Sequence, residues 1–193
     1  MKKIFKTLIS LVLIGCMAVN TSAVANAEEK NNYIVAHTSE GNSIMLLPEN
    51  TKETNNITRG KYLPTKLYDL SEDDYYADLQ EVASAVWLYT NYFFYCSDDG
   101  KIYVKYRVKR NSNDRIKMRI SVYDLTTDTS YDAFLTDYLP ITSYLTDQMY
   151  FSGLTVDHQY AIRFKVYWEI DPSTITGEAY VGHDHITQAF YLN

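Results

Sequence analysis

The sequence predicts an all-β fold, an antiparallel two-sheet sandwich behind a loosely structured N-terminal extension. Three observations carry this. Ile102, Val104, Tyr106 and Val108 alternate with Lys101, Tyr103, Lys105, Arg107 and Lys109, and Ile116, Met118, Ile120 and Val122 alternate with Arg115, Lys117 and Arg119. That is the period-two pattern of strands with one buried face. Turn chemistry separates the runs, as at Asp98-Asp99-Gly100 and Asn111-Ser112-Asn113-Asp114. Finally, Met149 to Glu169 reads as strand, tight corner and longer strand, with Tyr160, Ile162, Phe164, Val166 and Trp168 set against Ala161, Arg163, Lys165, Tyr167 and Glu169. Seven or so short strands without a convincing long helix are what a sandwich requires.

Taken in order, the chain opens with Lys2, Lys3 and Lys6 ahead of an apolar run from Leu8 to Val19, and small residues follow at Ala23, Ala25 and Ala27. Residues 1–27 are therefore expected to be a secretory signal peptide. The alternative is a lipobox at Leu13-Ile14-Gly15-Cys16, with Cys16 lipidated. The apolar run is too short for a membrane span, and nothing later in the chain is long and apolar enough to be one. A secreted, extracellular protein is expected, free or lipid-anchored through Cys16.

Residues 28–66 are rich in Asn, Thr and Glu. They are expected to form an extension or tether with at most one hairpin, from Tyr33-Ile34-Val35 and Ile44 to Leu47, because little apolar surface is present to offset ordering. The sandwich domain is placed at 67–193. Ser71-Glu72-Asp73-Asp74 could start a helix, but the β context favours a strand around Tyr75 to Leu79. Val86 to Cys96 is apolar on both sides, as for a buried strand. A weaker strand is expected near Tyr131 to Leu135, an irregular region at Pro140, and a last strand running through His183-Asp184-His185 with a bulge at Gly182.

Loss of residues 1–27 removes three of the 18 basic residues and none of the 24 acids, taking the formal charge from -6 to -9. Such a chain is no general binder of nucleic acid or anionic membranes. Its remaining cysteine, Cys96, cannot form an intramolecular disulfide, so a packed core must supply the stability. About 165 residues suffice for one such core. The 19 tyrosines suit the pleated, half-buried surface of strands.

The corner resembles that of fibronectin type III and immunoglobulin-like domains, in which a Leu precedes by six residues a Tyr whose hydroxyl bonds back to the corner backbone. Leu154 and Tyr160 stand at that spacing, with Val156 in place of the usual Pro. The likeness covers residues 86–193 and implies a fold, not an activity. The chain also resembles the β-sandwich modules appended to bacterial secreted peptidases, through LYTNYFF and YFSGLTVDHQYAIRF. As a whole it is similar to small secreted proteins of Gram-positive bacteria that pair RG…PT with YTNY, here Arg59-Gly60, Pro64-Thr65 and Tyr89-Thr90-Asn91-Tyr92. That group implies no known activity.

A search for chemistry finds neither a nucleophile elbow nor a phosphate-cradling loop. Cys96, with His158 or His183 as base, lies in an apolar run that would keep its thiol inert. His183 and His185, if on one strand, would share a face and could hold zinc or copper; exposed strand histidines are commonly no more than that. Asp98-Asp99 could face calcium or merely water. No cofactor is expected. The most informative feature is basic: Lys105, Arg107, Lys109, Arg115, Lys117, Arg119, Arg163 and Lys165 all fall on the solvent side by alternation, with Tyr167 beside them. They suggest a non-catalytic binding module for an anionic cell-wall polymer, a glycan or an acidic protein. The bland reading is a solvated face that blocks aggregation. A small extracellular hydrolase or a protein inhibitor remains the alternative.

Overall fold

Alternation in the sequence becomes two stacked antiparallel sheets in the computed structural model, which describes residues 33–49, 63–80, 82, 87–167 and 174–190. The expected signal peptide and much of the extension lie outside the described residues. The strands are β1 (Ile34–Thr38), β2 (Ser43–Leu46), β3 (Tyr75–Asp78), β4 (Leu88–Tyr89), β5 (Ile102–Arg110), β6 (Lys117–Asp124), β7 (Thr129–Ser130), β8 (Phe134–Leu135), β9 (Leu145–Ser152), β10 (Tyr160–Tyr167) and β11 (Ile175–Gly182). One sheet has the order β2-β1-β9-β5-β11-β3 and the other β4-β10-β6-β7, with β8 also paired to β6. Between them lies one core, with Val104, Tyr106 and Phe151 from the larger sheet against Met118, Ile120, Ile162 and Phe164 from the smaller. No helix among the described residues is long and apolar enough to cross a membrane.

The Tyr75 to Leu79 strand and the Asp98-Asp99-Gly100 turn form as read. Gly100 has φ +70°, and a Cβ there would stand 2.7 Å from the Leu154 carbonyl oxygen, so the turn needs glycine for both conformation and space. The corner is also met. Tyr160 Oη accepts a bond of 2.8 Å from Thr155 N and donates one of 3.1 Å to Thr155 O. The strand order departs from the immunoglobulin pattern, where the last strand shares the corner strand's sheet. Here β11 follows β10 in sequence but lies between β5 and β3 in the other sheet.

Three boundaries differ from the sequence reading. First, residues 33–49 belong to the sandwich and are no tether. β1 pairs with β9 along Val35 to Thr38, and Ile34, Ala36 and Leu46 are buried. Averaged composition hid this, because a few apolar residues at alternate positions suffice once β9 supplies the rest of the core. Second, the aromatic run is a strand only at Leu88–Tyr89. Beyond it the ladder is interrupted at Asn91, whose N donates to Tyr75 Oη, while Thr90 Oγ1 donates to Tyr92 O, and pairing resumes as isolated bridges from Phe93 to Leu67 and from Phe94 to Tyr160. Third, the last strand ends at Gly182, which is no bulge but a close approach: a Cβ there would meet Asp74 Oδ1 at 2.2 Å.

Candidate binding face

The eight basic residues divide between the outer faces of the two sheets. Lys105, Arg107 and Lys109 lie on β5 in the larger sheet, and the others lie on or beside β6 and β10 in the smaller. On β5 the charges are engaged locally. Lys105 Nζ donates to Gln188 O at 2.6 Å and Ile186 O at 3.3 Å. Arg107 stands 3.7 Å from Glu178, and both Arg107 and Lys109 lie over the Tyr144 ring. Neighbouring Lys101 pairs with Asp99 at 2.5 Å.

The smaller sheet is arranged differently. In the β6–β10 register Lys117 faces Tyr167 and Arg119 faces Lys165, which makes the strands neighbours as the sequence suggested. Residues 136–139 run beside β6, held by Thr136 N to Met118 O and Leu139 N to Ile116 O, with Leu139 buried as an anchor. That path brings Tyr138 onto the face. Its ring lies under Arg115 at 4.1 Å and Lys117 at 4.8 Å, and the Tyr167 ring lies under Arg119 at 4.7 Å. Tyr138 is 51% exposed and Tyr167 40%. Among the described residues, Arg115, Lys117 and Arg119 form no ion pair with a carboxylate. Their charge is held over aromatic faces, with Arg115 exposed and Lys117 and Arg119 half-buried.

Arg163 corrects the expectation of a solvent-facing side chain. It is fully buried, stacked 4.1 Å from the Trp87 ring. One of its terminal nitrogens donates to Glu49 at 2.9 Å, Tyr131 O at 3.1 Å and Ser121 Oγ at 3.3 Å. Leu47–Glu49 runs along residues 130–132, and Trp87, Tyr89, Tyr123 and Ala161 form a small apolar cluster on this side. Alternation assigns a face to a side chain but does not say what covers that face. Lys165, 5.6 Å from the Trp87 ring, borders the cluster.

No family model, curated protein or solved structure matches this chain. The remaining candidates were tested by geometry. His183 and His185 follow the end of β11 and turn to separate partners, Tyr95 O and Gln148. Among the described residues, no group of three or more His, Cys, Asp or Glu is placed to hold a metal. Asp99 is engaged by Ser97 and Lys101. Burial pushes the Cys96 thiol up to about 11, which keeps it protonated at neutral pH. His158 Nδ1 bonds Asp124 at 2.7 Å and His183 Nε2 bonds Tyr95 O at 3.0 Å. A cleft of about 210 Å³ opens between β3 and β4, lined by Tyr75, Tyr76, Asp78, Tyr89 and Asn91 among others, and the basic face does not border it. Sequence reading missed Tyr138, Trp87 and Glu49. Tyr138 and Glu49 sit in irregular segments without periodicity, and only spatial pairing marks them.

Proposed function

We propose that this protein is a secreted, non-catalytic binding module that holds an anionic polymer against the outer face of its smaller sheet, at Arg115, Lys117, Arg119 and Lys165 with Tyr138 and Tyr167. The observation that carries this is the row of three cations on exposed tyrosine rings without carboxylate partners among the described residues. On β5, by contrast, Arg107 has Glu178 beside it and Lys105 is tied to backbone carbonyls. The sandwich architecture and the Tyr160 corner support kinship with fibronectin type III or immunoglobulin-like modules, while the position of β11 argues for a divergent strand order. Export rests on residues 1–27.

Retention on an anionic polymer resin across a salt gradient tests the binding. Arg115→Glu with Arg119→Glu should elute at clearly lower salt than wild type, with unchanged circular dichroism. Equal retention of the two proteins removes these residues from the binding face. N-terminal sequencing of protein from its native host tests export, with Glu28 expected first and a lipidated Cys16 as the contrary outcome.

A further inference from the structure

We infer that the cleft between β3 and β4 is a second binding site, where an extended peptide of a partner protein adds a strand to the free edge of β3. The inference is independent of the basic face. In an antiparallel ladder alternate residues turn both backbone groups toward the paired strand, and the residues between them turn both away. Leu79 N donates to Gly177 O at 2.9 Å. In the β3–β11 register that bond sets Tyr75, Ala77 and Leu79 toward β11, and Tyr76 and Asp78 toward the edge.

Side chains close this edge at both ends. Asp74 N donates to Asp73 Oδ1 at 2.8 Å and Asp74 O accepts from Tyr68 Oη at 3.5 Å, while Gln80 N donates to Asp78 Oδ1 at 3.0 Å. Between these caps the backbone N–H and C=O groups of Tyr76 and Asp78 meet no partner among the described residues. Both residues line the cleft of about 210 Å³, together with Tyr75, Leu79, Leu88 and Phe164. Alternating donors and acceptors along a strand edge are what a peptide backbone recognises. In antiparallel addition Tyr76 and Asp78 each exchange both bonds with the one residue opposite. The residue opposite Ala77 then points to the inner side, where small Ala77 leaves room for an apolar side chain to enter the cleft. The residues opposite Tyr76 and Asp78 point outward. Glu178, beside Asp78, is already engaged by Arg107 at 3.7 Å and Tyr76 Oη at 3.3 Å. Exposed Asp78 has no ion pair among the described residues, so it selects Lys or Arg opposite itself, and exposed Tyr76 selects a β-branched residue. The peptide therefore reads basic, apolar, β-branched in chain order.

The test titrates the isotope-labelled protein with the capped peptide Gly-Thr-Lys-Leu-Val-Thr-Gly and follows the backbone amides by NMR. Binding should shift the amides of Tyr76 and Asp78. N-methylation of the peptide at both Lys and Val removes the two donors to β3 and should weaken binding about tenfold. N-methylation at Leu, whose N–H points away from β3, should leave binding nearly unchanged. Tyr76→Pro deletes an outward donor without breaking the β11 ladder, so the protein should still fold, as read by thermal unfolding, and lose the peptide. Asp78→Lys, which needs no change of backbone, should lower affinity roughly fivefold. No shift at about 1 mM peptide, equal losses from N-methylation at either place, or unchanged binding by Asp78→Lys would each overturn the inference. Tighter binding of cellohexaose at the same amides would overturn it in favour of a glycan.

Discussion

At Arg163 a charged side chain is fully buried on the side of β10 that faces away from the main core, and it is held by the carboxylate of Glu49 and the ring of Trp87. Removing one partner of such a pair costs about 3 kcal/mol or more, because the other charge loses its compensation. Arg163→Ala should therefore lower the urea midpoint strongly. Arg163→Met, which keeps an apolar stem on Trp87, should be less harmful when combined with Glu49→Gln than alone. Additive effects of the two substitutions would show that the pair is uncoupled. Cys96 supplies a pH test. Its thiol ionises near 9.0 in ordinary surroundings and at about 11 when buried here. Between those values the unfolded chain has lost a proton that the folded chain retains, so stability falls as pH rises from 9 towards 11. Tyr106 and Tyr160, also raised by burial, act in the same direction at higher pH. Cys96→Ala should flatten the early part of that decline in pH-dependent melting curves, whereas an unchanged decline would contradict the burial of the thiol.

The hairpin of β1 and β2 is the element whose role changed most between sequence and structure. It forms one edge of the larger sheet through β9 and contributes Ile34, Ala36 and Leu46 to the core, and Glu49 follows just beyond it. Burying Ile and Leu side chains contributes about 1.5–3 kcal/mol each. Removal of residues 33–49 should then cost on the order of 5 kcal/mol and give a chain that is unfolded or strongly destabilised, as read by circular dichroism. Limited proteolysis should spare this hairpin, and early cleavage within 34–46 would contradict its place in the sheet. A smaller test lies in β11. Gly182→Ala must displace the Asp74 carboxylate, and it should destabilise by about 1–3 kcal/mol in chemical denaturation.

On the scale of the whole molecule, a chain of formal charge -6, which the proposed removal of residues 1–27 would take to -9, presents cations on both outer faces, yet the two faces are not equivalent. On β5 Lys105 is engaged by the carbonyls of Ile186 and Gln188 and Arg107 by Glu178, with Arg107 and Lys109 over the half-buried Tyr144 ring, whereas those on or beside β6 lie over the exposed rings of Tyr138 and Tyr167. Net repulsion limits attraction to a local range of about one Debye length, roughly 8 Å at physiological salt. Lys105→Glu with Lys109→Glu should accordingly leave polymer retention nearly unchanged, in contrast to the Arg115 and Arg119 substitutions. Comparable losses from both pairs would point to diffuse electrostatic attraction and not to a defined face.

The sequence by itself determined the all-β class, the inward sets on β5, β6 and β10, the turn at Gly100, the Tyr160 corner and the identity of the cations. These follow from local rules: the period of a strand is two, and turns need particular residues. Tertiary structure alone decided that the cations divide between two sheets, that β11 leaves the sheet of β10, that Tyr138 comes to lie under Arg115 and Lys117, and that Glu49 and Trp87 bury Arg163. Each of these depends on which distant segments become neighbours. That is set by how the remaining apolar surfaces find cover, and strand periodicity carries no record of it.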